Sequence, residues 1–116
     1  MSTKDALGAW GEEYAARYLK QAGFEIVCRN WRSAAGEVDL LLRRADLLVV
    51  CEVKTRRSHS HGHPDEAVDA RRMSRLIAAA ELIAASNSGM TVRIDVVSIT
   101  ADNHAIVVQH RESVAA

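Results

Sequence analysis

Two cysteines in 116 residues, Cys28 and Cys51, are too few for a disulfide scaffold and match no CxxC metal spacing. Cys51 lies in a run of Val and Leu, where a free thiol behaves as a small apolar residue. Two reduced, structural thiols are expected, which suits a cytosol. Long apolar runs are missing too: nothing approaches the ~20 residues of a membrane span, and "MSTKDALGAW" has no stretch suited to a signal peptide. A soluble, cytoplasmic protein with no membrane partner is expected. Net charge is also absent, since 15 Lys and Arg balance 15 Asp and Glu. That total does not advertise a polyanion partner, but the distribution says more. Lys54, Arg56 and Arg57 cluster after an apolar run, and Arg71, Arg72 and Arg75 follow on a predicted helix. A neutral sum can hide an acidic pocket ringed by basic contacts.

What is present suffices for one domain, residues 1–116, with 48% hydrophobic and 26% charged residues. Residues 4–22 read as a helix with Leu7, Trp10, Tyr14 and Tyr18 on one face, ended by Gly23. Residues 24–32, 37–43 and 47–55 read as strands, the last two joined by a short turn at "RRAD". The segment "SHSHGHPDE" reads as a loop, with Pro64 placed where a helix can begin. A second helix over 65–86 offers Met73, Leu76, Ile77, Ala80 and Ile83 to a core, and Gly89 lies in its terminating "SNSG". Strands at 91–100 and 104–109 close the chain around "ADN". One helix cannot cover both faces of such a sheet, so an α/β fold with a mixed sheet and a helix on each side is expected.

Chemistry concentrates in "GEVDLLLRRADLLVVCEVKTRR", Gly36 to Arg57. If the turn is centred between Ala45 and Asp46, paired residues have numbers that sum to 91, as those of Asp39 and Glu52 do. Those two carboxylates then face each other across the hairpin, and Glu37 and Lys54 share their face. A register slip of one residue breaks this pairing. Like charges placed so close destabilise a sheet unless something compensates. A divalent cation does so: Mg²⁺ takes oxygen ligands and often binds one or two carboxylates plus a substrate phosphate. Lys54 can orient a water or steady charge on a phosphate under attack. The plainer alternative is a surface salt-bridge ladder, but Val38, Leu41 and Val50 leave the strands apolar on both faces, where charges need a reason.

Asp39, twelve residues, then Glu52-Val53-Lys54 resembles the PD-(D/E)XK nuclease signature. More narrowly, the chain resembles the YraN family of bacterial proteins, distantly similar to archaeal Holliday junction resolvases. "GAWGEEYAARYLKQAGFEIVCRNWR", "GEVDLLL", "VVCEVKTR" and "VRIDVVSI" carry that likeness, from Gly8 to Ile99. The resemblance implies a restriction-endonuclease-like core, a mixed sheet flanked by helices in the order α-β-β-β-α-β-β. It implies Mg²⁺ or Mn²⁺ held by Asp39, Glu52 and the Val53 carbonyl, with Lys54 catalytic. Glu12 matches an acid that related resolvases place beside the metal, with Glu13 as fallback. Relatives tend to carry Lys where this chain has Arg71 or Arg72, and neither is expected to touch the metal motif. The ending "RESVAA" departs from the aromatic that usually follows the family's last strand.

Arg56, Arg57 and Arg72 are the candidate phosphate contacts, which set affinity and register without reading sequence. His59, His61 and His63 suggest adventitious metal binding more than structural zinc, which commonly uses cysteines. Trp31 could stack on an unpaired base, but a tryptophan ending a strand is read as core. Asp95 is expected to pair with Arg93 or Arg29. The expectation is a metal-dependent endonuclease that hydrolyses DNA, branched or otherwise structured DNA included. Symmetrical cleavage of a junction would need a homodimer. The rival readings are a nucleic-acid-binding module that has kept the fold without turnover, and a scaffold whose acids bind metal only for stability.

Overall fold

The computed structural model describes residues 3–57 and 68–115. Its elements run α1 (Thr3–Gln21), β1 (Glu25–Ser33), β2 (Gly36–Arg44), β3 (Leu47–Arg56), α2 (Ala70–Ala85), β4 (Thr91–Ala101) and β5 (Ile106–Arg111). This is the expected order of one helix, three strands, a helix and two strands. Pro64 and the three histidines of the 58–63 stretch lie outside the described residues. No described helix is long and apolar enough to cross a membrane.

The strands form one five-stranded sheet in chain order, with β3 and β4 parallel and every other neighbour antiparallel. A parallel pair needs a crossover, and α2 lies on that connection. The two helices cover opposite faces. Under α1, Ala15, Ala16 and Leu19 pack on Leu40, Leu42, Val49, Cys51, Val97 and Ile99. Under α2, Leu76, Ala79 and Ile83 pack on Leu41, Leu48, Val50 and Ile94, with Trp31 and Ala80 packed alongside. Trp31 is thus core-packed, as expected. Both cysteines are free thiols, Cys51 buried and Cys28 half-buried.

Two glycines set how near the helices come. A Cβ on Gly11 would clash with Thr55 Oγ1, and one on Gly36 would lie 3.0 Å from the Arg75 carbonyl oxygen. The first contact presses α1 onto β3, and the second seats α2 against the start of β2. That close seat explains a correction. The face of α1 turned to the sheet carries Gly11, Ala15, Ala16 and Leu19, not the predicted Leu7, Trp10, Tyr14 and Tyr18. Trp10 and Tyr18 are 39% and 40% exposed, and only Tyr14 packs against the core edge. Large rings have no room where the backbones approach so closely.

Further boundaries differ. α2 starts at Ala70, because Asp69 caps it by accepting a hydrogen bond from the Arg72 N–H at 2.8 Å, and the predicted start at 65 lies outside the described residues. Ile77 is exposed, and Ala79 takes the buried position. β5 begins at Ile106, two residues later than predicted, since Asp102 accepts from the His104 and Ala105 N–H groups and extends the turn.

Candidate active site

The β2–β3 ladder has the expected register: Leu41 faces Val50 and Leu40 faces Cys51, where regular pairing ends. Beyond that point β2 continues on β1 alone, as far as Gly36 opposite Ser33. Asp39 stands where the two strands part. Its Oδ2 accepts the Val53 N–H at 2.8 Å, so a side chain replaces the ladder partner that this amide has lost. The acid therefore ties the two strands together at the mouth of the site.

Glu52 leans onto the same spot and is hydrogen-bonded to Asp39. The pair divides the charge unequally. Burial, then the hydrogen bond and repulsion from Glu52, push the Asp39 carboxyl up to about 8, against the Val53 N–H. Burial also works to raise Glu52, but it is outweighed by Arg72, by the hydrogen bond from Asp39 and by the charge of Lys54, so Glu52 is held below its ordinary value. In this arrangement Asp39 carries the proton and Glu52 carries the charge. Lys54 sits two residues along β3 from Glu52, and so on the same sheet face.

Glu12 and Glu13 separate cleanly. The Glu12 carboxyl is raised by burial, lowered by Arg29 and raised again by Glu52 and Glu37, so it senses the acidic pair across the sheet's end. Glu13 points away, with Arg29 Nη1 at 2.7 Å and Arg17 Nε at 3.2 Å, which pull its carboxyl below the ordinary value. The fallback acid is thereby engaged elsewhere.

The candidate phosphate contacts fare differently. Arg56, half-buried, lies beside Thr100 on β4, and exposed Arg57 lines a groove of about 410 Å³ with Leu7, Trp10, Ala101, Asp102 and Asn103. Arg72 does not point out from α2 as expected. Its Nε donates to Glu52 Oε2 at 2.8 Å and its Nη2 to Oε1 at 2.7 Å, with Nη1 3.9 Å from Glu37 Oε1. The expectation that Arg71 and Arg72 stay clear of the metal motif is corrected for Arg72. The reason is geometric: an arginine in the first turn of α2 opposes the helix dipole, so it is held there by a carboxylate in reach. That misplaced charge was the available signal, once the helix start is known.

A second charged cluster was only half foreseen. Asp95 is 0% exposed and meets Arg93 at 2.8 Å through both its oxygens, not Arg29. His110 Nε2 lies 2.7 Å from Asp95 Oδ2, and the Ser113 N–H donates to Oδ1 at 3.2 Å. This cluster anchors the C-terminal segment rather than joining the acidic pair.

Among the described residues no three His, Cys, Asp or Glu side chains converge as a metal cage. The donors that do meet are two carboxylates, which are hard oxygen ligands. Such a set suits Mg²⁺ or Mn²⁺ completed by water, a backbone carbonyl such as that of Val53, and phosphate, better than zinc, whose sites commonly include Cys or His.

The fold and site together define a small mixed α/β domain that carries two touching carboxylates and a lysine where two strands separate. The model of the uncharacterised protein family UPF0102 matches residues 11–99, and the chain belongs to that family, which is the YraN family. It is 53% identical to the UPF0102 protein of Rhodococcus opacus (strain B4) over 96 residues, 81% of either chain. It is 48% identical to that of Beutenbergia cavernae over 101 residues (85% of this chain, 86% of the relative). With the protein of Nocardia farcinica the identity is 46% over 114 residues (96% and 90%).

Proposed function

We propose that this protein is a divalent-metal-dependent endonuclease that hydrolyses phosphodiester bonds of DNA, branched or structured DNA included. The observation that carries the reading is the contact of Asp39 with Glu52 where β2 and β3 part, with Lys54 on the same face. A purely structural ion pair would join opposite charges; two acids in contact, Glu52 buried and Asp39 half-buried, hold a place for a cation. Bound there, Mg²⁺ or Mn²⁺ would polarise the phosphoryl oxygen and lower the pKa of an attacking water.

The protein's own groups do the rest. Asp39, with its proton lost to solvent, would serve as a ligand beside Glu52, its carboxylate held in place by the Val53 N–H. The Val53 carbonyl is the third ligand of this reading. Lys54 orients the water and offsets charge gathering on the phosphate. Glu12, close enough to feel Glu52, positions a further water, and Arg56 and Arg57 grip the flanking backbone. A junction cut on two strands would require two copies of the chain.

One observation favours a second reading, a nucleic-acid-binding module without turnover: Arg72 already satisfies both oxygens of Glu52. A gel assay with Mg²⁺ or Mn²⁺ on duplex, single-stranded, flap and four-way junction DNA decides between them, with binding scored in Ca²⁺. Cleavage by the wild type, lost in Asp39→Ala and Lys54→Ala, is the expected result. Binding without cleavage would select the module, and neither would remove both readings.

A further inference from the structure

Glu52 is held by a cation from its own chain. The Arg72 fork takes Oε1 and Oε2 at 2.7 and 2.8 Å, the strong bidentate geometry of guanidinium and carboxylate. Arg72 is planted firmly, because its own N–H is the one that caps α2 through Asp69. Its side chain is 18% exposed and that of Glu52 11%. Two groups buried to that degree are costly to leave unpaired, so each needs a partner at all times.

The same fork competes for the oxygens that a divalent ion would need. A metal held by Glu52 and Asp39 would bring its positive charge up against the guanidinium on one carboxylate. Arg72 cannot then stay unless an anion joins the site. Three acids face it, Glu52, Asp39 and Glu37, and Lys54 adds a further positive charge beside Glu52. A phosphate is the anion that the fork fits as well as it fits a carboxylate.

We infer that Arg72 is an internal counter-cation that holds Glu52 in the metal-free protein, and that on metal binding it releases Glu52 and takes a phosphate of the bound nucleic acid. The inference rests on the metal-dependent reading of the acidic pair. It makes Arg72 a positioning residue whose two states couple metal to nucleic acid. Coupling of this kind is reciprocal: metal tightens nucleic-acid binding by the factor by which nucleic acid tightens metal binding.

The test uses the full chain with Arg72→Met and Arg72→Lys. Mn²⁺ affinity is measured by electron paramagnetic resonance without DNA, and anisotropy of a short labelled duplex is read in EDTA and in Ca²⁺. Losing the competing fork should tighten Mn²⁺ binding roughly tenfold or more in Arg72→Met, given what a charge-assisted pair contributes. The gain in duplex affinity that Ca²⁺ gives the wild type should disappear in Arg72→Met and be partly kept in Arg72→Lys. Unchanged or weaker Mn²⁺ binding by folded Arg72→Met, with the wild type still binding Mn²⁺, would overturn the inference and leave the nuclease reading standing. Absence of Mn²⁺ binding in every folded variant would overturn both. Should Arg72→Met fail to fold, the wild type decides: the Arg72 Nε–H resonance must shift on Mg²⁺ titration, and a resonance that stays fixed at saturating metal would overturn the exchange.

Discussion

Gly11 and Thr55 meet so closely that a Cβ added to Gly11 would clash with Thr55 Oγ1 and lie 2.8 Å from its Cβ. Helix propensity alone favours alanine over glycine by about 1 kcal/mol inside a helix. The contact decides the sign the other way. Thr55 is β-branched and sits on a strand, so it cannot turn aside cheaply. Gly11→Ala should therefore destabilise the protein by about 1–3 kcal/mol, the usual range for overpacking. Urea midpoints measure this, and a variant as stable as the wild type would refute the close seat of α1.

That contact also marks where the sequence stops being legible. The hairpin could be read because a short turn at Ala45 and Asp46 fixes the count of residues on both sides, which set Leu40 against Cys51; Asp39 and Glu52 then meet through their side chains just past the end of that ladder. The sheet-facing side of α1 could not. Its aromatic stripe has true helical spacing, but so do Gly11, Ala15 and Leu19, and the choice was made by Thr55, distant in sequence. Arg72 was hidden for a similar reason. Its partner lies twenty residues away, across the 58–67 segment, and a helix start placed at 65 put it in mid-helix instead of the first turn. The role of Asp95 was legible only as far as Arg93, because His110 and Ser113 reach it from another strand and its tail.

Asp39 should make stability fall as pH rises. Its carboxyl is pushed from 3.8 to about 8 by burial and by Glu52, so the folded chain keeps a proton that the unfolded chain has lost. Its contribution is full below the unfolded value of 3.8 and is lost as pH rises through about 8. The slope is at most about 1.4 kcal/mol per pH unit for one proton. Denaturation series within that window should show the fall in the wild type and a flatter profile in Asp39→Asn. Equal slopes in the two proteins would sink this account of the pair.

Asp95 should act in the opposite sense. Burial raises its carboxyl, but hydrogen bonds from His110, Arg93 and the Ser113 N–H outweigh that and hold it low. Its contribution is present above the unfolded value of 3.8 and lost as pH falls through the lower folded one. Asp95→Asn leaves Arg93 half-answered in a buried setting and should cost about 3 kcal/mol. The tail should loosen with it, since Ser113 hangs on Asp95 and the Val114 N–H donates to the Ile94 carbonyl at 2.9 Å. Hydrogen exchange at Val114 reads this directly, and protection equal to the wild type would show that the tail is held by something else.

Glu12 and Glu13 stand side by side in sequence but should behave differently when each is changed to Gln. Glu12 is among the charges that raise Asp39, so Glu12→Gln should lower the Asp39 titration midpoint, read by carboxyl carbon shifts without any substrate. Glu13 is spent on Arg29 and Arg17 at the surface, and Glu13→Gln should leave that midpoint where it is. On the proposed nuclease reading, Glu12→Gln should lose roughly ten- to a hundredfold in cleavage rate, the scale for removing a group that acts from just outside a metal's ligands. Glu13→Gln should cut at the wild-type rate. If Glu13→Gln is the variant that moves the Asp39 midpoint, α1 presents its other acid to the pair. If both midpoints stay fixed while Glu12→Gln still loses rate, Glu12 acts on the substrate and not through Asp39.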